Sequence, residues 1–498
     1  MEEDKEEEKQ KKKQKSILRT VQIQKVKSNI YIYLLKKIMR TQIGRDVLIK
    51  RFKQRMHAGL MEDYPDYLNE VNEKRYQFFS AMLESVKRNV DKGYINPDIT
   101  DRVIDTLVRY GFASRKDVNL RAEPFRGKYN MEPPSFVTIS PTQRCNLRCE
   151  GCYASSNGNK SCPTLSFEIL EKMCDEVYNE WGNRFMVFSG GEPLLYSENG
   201  KTLFDIWKKY PDMFFLFYTN GTLINEETAR KMAELGNVTP AVSIEGFEKE
   251  TDERRGNGTF QKILKAFENL RKAGLPFGVS VTGTQKNLPV LLDDKFYDFL
   301  FQEQGAAYMW MFQIMPIGQA KDAKKMMITP EQRVNLYRKW EYLLKEKKYC
   351  IADFWNSSAL SNGCIAYGRS SGYLYIDWNG NIMPCVFVPY HQDNIKDLYG
   401  NGKKLADALF SPMFVNGRKW QDEYGRTHPK TAENGLMPCS IRDHFHNFKQ
   451  NIFQGKGEDA IAEQAIHSKE YEKTLKDFDE ELETLTLPIW KEEYVDKG

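Results

Sequence analysis

Long apolar runs are scarce in this chain of 498 residues, and that scarcity excludes an ordinary membrane-spanning helix. The longest apolar stretch near the start, Ile30-Tyr31-Ile32-Tyr33-Leu34-Leu35, falls far short of the roughly 20 residues a span needs. Histidine is also sparse: only six are present, and none lies in a catalytic pattern that would nominate a general base. No repeat with a period of tens of residues is visible, which excludes a solenoid, and low complexity is confined to residues 1–15. A secretory signal is lacking too. Cysteines number nine, an odd set scattered along the chain, so thiols kept reduced and used for metal are expected rather than a disulfide framework. A cytoplasmic placement follows as an expectation.

What is present is ordinary in bulk and uneven in detail. Hydrophobic residues make up 41% and charged residues 29%, as in a globular protein long enough for two or three domains. The net charge of +4 hides a basic segment: residues 11–56 hold fifteen Lys and Arg against one acid, Asp46, whereas the C-terminal part is acidic around Asp477–Glu483. Such a block can meet nucleic acid, an anionic membrane surface or an acidic face of the same protein, or stay solvated. Ile30, Tyr33, Leu34 and Ile38 recur at helical spacing within it, so peripheral docking at the inner membrane surface is one expectation, and no specific nucleic-acid partner is expected.

The order of segments reads as a charged disordered tail (1–15), a helical N-terminal domain (16–118), a proline-containing linker (119–134), an α/β domain (135–349), a cysteine-bearing domain (350–450) and an acidic helical tail (451–498). In the first helical part, Tyr76, Phe79, Met82, Leu83 and Val86 recur at helical spacing, as do Ile99, Val103, Ile104, Leu107 and Val108. From Phe136 to Tyr349, β-rich runs alternate with amphipathic helices, the pattern of a parallel sheet with helices outside. Six strands are expected, near Phe136–Ser140, Phe185–Ser189, Phe214–Thr219, Thr239–Ile244, Phe277–Thr282 and Met309–Met315. The helix Thr259–Ala273 is expected to start on Thr259 as N-cap and to stop at Gly274.

The chemistry concentrates just after the first strand. Cys145, Cys149 and Cys152 stand as CxxxCxxC in SPTQRCNLRCEGCYASS. Three thiolates on one short loop suit an iron–sulfur cluster with one iron left open to a non-protein ligand. Half of a zinc site is the bland alternative, but no second Cys or His pair follows at close spacing, since Cys162 and Cys174 lack that pairing. Cys174, on an apolar helical face with Leu170, Met173 and Val177, reads as core.

The loop, with Ser189-Gly190-Gly191-Glu192-Pro193, Tyr218-Thr219-Asn220-Gly221 and Ser243-Ile244-Glu245-Gly246 in order at later strand ends, resembles the radical SAM superfamily. The resemblance implies a (βα)6 partial TIM barrel, a catalytic [4Fe-4S] cluster on Cys145, Cys149 and Cys152, and S-adenosylmethionine bound at its open iron. It further implies that Gly190, Gly191, Glu192 and Pro193 hold the methionine amino group, that Ser243 and Glu245 sit near the ribose or carboxylate, and that Asn220 shapes the floor. The aromatic residue the family places before the third cysteine is Gly151 here, with Tyr153 following, and Tyr153 is the candidate adenine contact.

Farther on, Cys364 and Cys385 flank a predicted hairpin turning at Asn379-Gly380, and Cys439 follows in Met437-Pro438-Cys439. This resembles the SPASM or shorter twitch module and implies one auxiliary Fe-S cluster on Cys364, Cys385 and Cys439. Its fourth ligand is left open among Cys350, His444, His446 and solvent or substrate. The resemblance implies an enzyme in which a 5′-deoxyadenosyl radical abstracts hydrogen from a peptide or small metabolite, with flavodoxin or ferredoxin as electron donor. Radical modification or coupling of membrane lipid chains is the alternative, and an electron carrier or zinc-stabilised binding module is the non-enzymatic one.

Overall fold

The computed structural model of the chain describes residues 37–38, 40–63, 67–99, 115–156, 158–159, 161–316, 325–426 and 433–497. The expectations for the tail 1–15, for the anchors Ile30, Tyr33 and Leu34, and for Val103, Ile104, Leu107 and Val108 lie outside the described residues. Two compact units are present, residues 1–55 and residues 56–498. In the first, Ile38 is exposed, as are Ile43 and Val47 of α1 (Gln42–Asp63). Among the described residues no helix is long and apolar enough to cross a membrane.

The second unit is built on one ten-stranded sheet. Strands β1 (Phe136–Ile139), β2 (Phe185–Phe188), β3 (Phe214–Thr219), β4 (Val238–Ser243), β5 (Gly278–Gly283) and β6 (Tyr308–Gln313) run parallel in chain order. They fall within one or two residues of the six expected strands. Alternation along each strand divides two environments. Val137, Ile139, Met186, Phe188, Phe215 and Phe217 belong to the large core with the helices. Val187, Leu216 and Ala241 form a smaller cluster against Phe136, Phe185 and Trp310.

Helix α2 (Asn69–Asp91) precedes the sheet. Helix α3 (Arg115–Tyr129) replaces most of the expected linker; Pro124 sits inside it, and α3 is followed directly by β1. Between β4 and β5, the helix Thr259–Ala273 buries Phe260, Ile263, Phe267 and Leu270, each side chain contributing roughly 1.5–3 kcal/mol. Its cap is Gly258, one residue before the expected Thr259, and it ends as expected at Gly274.

Residue 350 is not a border in the sheet. β7 (Ile351–Asp353) pairs in parallel with β6, while β8 (Tyr373–Ile376) pairs in parallel with β1 along its whole length. β9 (Asn381–Met383) folds back on β8 through the predicted Asn379-Gly380 turn. The hairpin thus extends the barrel sheet beyond β1 rather than standing apart. The acidic C-terminal segment forms helices Ala460–His467 and Lys469–Trp490, which bury Leu475, Leu482 and Trp490.

Candidate active site

Parallel βα architecture collects reactive groups at the C-terminal strand ends, and here these ends share one job. They seat the cysteine loop. From the end of β2, Gly191 N–H donates to Thr142 O at 2.9 Å and Glu192 N–H to Arg144 O at 2.8 Å. A Cβ on Gly191 would lie 2.2 Å from Arg144 O, so only glycine allows this approach. From the end of β3, Asn220 Nδ2 donates to Asn146 Oδ1 at 2.9 Å and contacts Cys145 Sγ at 3.7 Å. The helix Glu248–Arg255 closes the third side: Glu150 N–H donates to Arg254 O at 2.9 Å, and Arg255 Nη1 stands 3.9 Å from Cys149 Sγ.

The three thiols face a cavity of about 250 Å³ together with Tyr153, Gly190, Gly191, Asn220 and Ser243. Among the described residues, no three Cys, His, Asp or Glu side chains converge as they would on a single ion. A cubane asks less of them: its irons occupy separate corners, and three thiolates need only face a shared space. Burial pushes the Cys145 thiol up to about 12 and raises that of Cys149, which Arg255 partly opposes. Without metal these groups hold their protons; iron loading must therefore release protons.

Three of the expected contact residues lie outside the cavity lining. Glu192 is fully buried behind the wall, where Oε1 accepts Thr219 Oγ1–H at 2.7 Å and Leu194 N–H at 3.2 Å, and Oε2 accepts Asn220 N–H at 2.8 Å. It clamps β2 to β3, and burial lifts its carboxyl to about 7. Pro193 is buried beside it, outside the cavity lining. Glu245 is also buried; its Oε1 accepts from Arg254 Nη1 at 2.6 Å and from Arg255 Nε at 2.9 Å, and its Oε2 accepts Thr282 N–H at 3.0 Å. Glu245 therefore aims the two arginines, and these line the cavity.

Arg254, Arg255, Ser280 and Thr282 were not expected at the site. Ser280 is hydrogen bonded to Ser243 at 3.0 Å between their hydroxyls. Tyr153 lines the cavity, with its hydroxyl 2.9 Å from Ser189 Oγ and its ring edge-on to Phe387. Gly151 has a positive φ of 66°, so any side chain there would be strained, and a Cβ would press on the side-chain ends of Met326, at 2.9 Å, and Ile314, at 3.0 Å.

A second cavity, of about 800 Å³, is lined by Cys364, Cys385 and Cys439. Trp310, Phe354, Ile365 and Phe387 line both cavities and form their common wall. Burial raises all three thiols, that of Cys385 to about 12. Cys350, His444 and His446, the side chains among the candidate fourth ligands, do not line this cavity. Cys350 is buried beside β7, His444 Nε2 bonds Met437 O at 2.7 Å, and the exposed His446 bonds Glu472 at 2.8 Å. Cys174 packs in the core 3.7 Å from Met186 Sδ, as its helical position predicted.

Residues 139–292, which carry the loop and the strand ends just described, match the family model of the radical SAM superfamily. The chain carries a radical SAM domain. Among curated proteins, this radical SAM chain is 26% identical over 290 residues to the AdoMet-dependent heme synthase of Oleidesulfovibrio alaskensis, covering 53% of this chain and 72% of the relative. It is 28% identical over 306 residues to the mycofactocin maturase MftC of Mycobacterium ulcerans, covering 58% and 76%. Among solved structures, Streptococcus suis SuiB bound to S-adenosylmethionine aligns with a TM-score of 0.46 and 15% identity, over 60% of this chain and 71% of that one. The chain is an enzyme, and its cofactors are the [4Fe-4S] cluster and S-adenosylmethionine of the radical SAM superfamily.

Proposed function

We propose that this enzyme cleaves S-adenosylmethionine reductively and directs the resulting 5′-deoxyadenosyl radical to a C–H bond of a peptide or small metabolite. The observation that carries this reading is the seating of three thiols, by β2, β3 and the helix Glu248–Arg255, on the open end of an apolar barrel. When bound, the cluster and S-adenosylmethionine supply the electron and the radical chemistry. The chain supplies placement and dryness. Cys145, Cys149 and Cys152 would hold three irons, and Arg255, charged and fixed by Glu245, balances thiolate charge at Cys149. Asn220 orients Cys145, while Gly190 and Gly191 leave bare backbone at the cavity wall.

Beyond the thiols the wall is mainly aromatic and aliphatic, with Phe136, Phe185, Leu216, Tyr218, Trp310 and Phe312. Such a wall excludes water and suits the apolar part of a substrate. A reactive radical surrounded by it meets only the group presented. Cys364, Cys385 and Cys439 would hold one auxiliary cluster, separated from the first cavity by the shared aromatic wall. The haem synthase and maturase relatives accord with a small-metabolite or peptide substrate, and flavodoxin or ferredoxin is the proposed electron source.

A substrate is tested by isotope. Fully deuterated candidate peptides and metabolites are incubated anaerobically with reconstituted enzyme, S-adenosylmethionine and reductant. The expected result is deuterium in 5′-deoxyadenosine from one substrate class. 5′-Deoxyadenosine that stays free of deuterium with every candidate, its hydrogen taken from solvent or buffer, would overturn the C–H abstraction reading.

A further inference from the structure

Tyr373 lines the first cavity and, through its hydroxyl, touches a cysteine of the second. Its ring lines the first, stacked on Phe136 with centroids 5.0 Å apart and planes 6° from parallel. The β1–β8 register, which sets Phe136 opposite Tyr373, fixes that stack. At the far end of the ring the hydroxyl lies 2.9 Å from Sγ of Cys385, which lines the second cavity. The hydroxyl oxygen also accepts Val386 N–H at 3.3 Å. A phenol has a single proton, and with its oxygen accepting from Val386 that proton is left for the sulfur. Tyr373 is 3% exposed, so water does not compete for the bond.

We propose that Tyr373 is a positioning residue of the second cysteine site: its hydroxyl donates to the Cys385 sulfur and sets the reduction potential of an iron–sulfur cluster held by Cys364, Cys385 and Cys439. This rests on the reading that those three cysteines hold a cluster. A hydrogen bond to a ligand sulfur withdraws negative charge and favours the reduced form, so it raises the potential. Phe387 N–H also donates to this sulfur, at 3.4 Å, and the backbone N–H of Val388 faces it as well. The tyrosine bond is the shorter one, and a side-chain change can remove it while Phe keeps the stacked ring.

The test is a redox titration, followed by electron paramagnetic resonance, of full-length C145A/C149A/C152A, in which only the second cluster contributes. Adding Y373F should lower the midpoint so that the oxidised-to-reduced ratio at a fixed potential rises about tenfold, ~59 mV for one electron. Replacing Tyr373 by 3,5-difluorotyrosine, the same shape with a stronger donor, should shift it the opposite way. If Y373F does not retain the cluster, the fluorinated residue decides alone. A cluster present with unmoved midpoints overturns the inference and leaves the cluster reading intact; no second cluster in the parent overturns both.

Discussion

At the scale of single residues, the site is held by groups whose roles differ from their apparent ones. Gly191 serves the cysteine loop: its missing Cβ would lie 2.2 Å from Arg144 O and 2.5 Å from Gln143 O, both backbone atoms that cannot swing aside. Gly191→Ala should cost about 1–3 kcal/mol in denaturant stability and lower the iron bound after reconstitution. Unchanged iron content would show that the loop seats itself without this approach. Glu192 gives a pH signature. Burial raises its carboxyl from the ordinary 4.5 to about 7, so between those values the folded chain binds more protons than the unfolded one. Its contribution to stability is full below about 4.5 and is lost as pH rises through about 7. Glu192→Gln should therefore flatten the decline of the metal-free protein's denaturation midpoint from pH 5 to 8. Parallel profiles for the two proteins would contradict the assignment. The cysteines were legible from their spacing and the glycines from the family resemblance. The arginines were not, because Glu253-Arg254-Arg255 at the end of a charged helix reads like any solvated surface, and only the fold brings it over Cys149.

At the scale of elements, what was legible is local and what was missed is long-range. Strands β1–β6 announce themselves by composition, and the Asn379-Gly380 turn by its residue pair. That β8 lies parallel to β1 has no local signal: the paired residues are more than two hundred positions apart, and both strands are largely buried on both faces. Pro124, which marked the expected linker, is accommodated within α3. The third cysteine of the second site depends on another long-range tie. Arg333, on the helix Pro330–Tyr342, forms a buried two-pronged pair with Asp443, at 2.5 and 3.1 Å, and Asp443 Oδ2 also accepts Cys439 N–H at 3.1 Å. Asp443→Asn leaves the buried guanidinium uncompensated and should cost about 3–5 kcal/mol. Thermal unfolding checks the stability. Iron analysis should show loss from the second site with the first retained; loss from both alike would mean that the pair supports the fold and not the Cys439 loop in particular.

At the scale of the whole molecule, two thiol-lined cavities share a wall of Trp310, Phe354, Ile365 and Phe387 within one compact unit. As proposed, they are separate metal sites with separate tasks. Replacing Cys364, Cys385 and Cys439 with alanine should cut bound iron by about half while uncoupled cleavage of S-adenosylmethionine persists, because the first loop takes its seat from β2, β3 and the helix Glu248–Arg255. Unchanged iron in that variant would reduce the second site to an ordinary hairpin. The central claim is the assignment of Cys145, Cys149 and Cys152, and one assay reaches it most directly. Reconstituted enzyme and its C145A/C149A/C152A variant are incubated anaerobically with S-adenosylmethionine and dithionite, and 5′-deoxyadenosine is quantified by liquid chromatography. Steady formation by the first and none by the variant is expected, whereas 5′-deoxyadenosine from the variant at the parent's rate would contradict the assignment of the three cysteines.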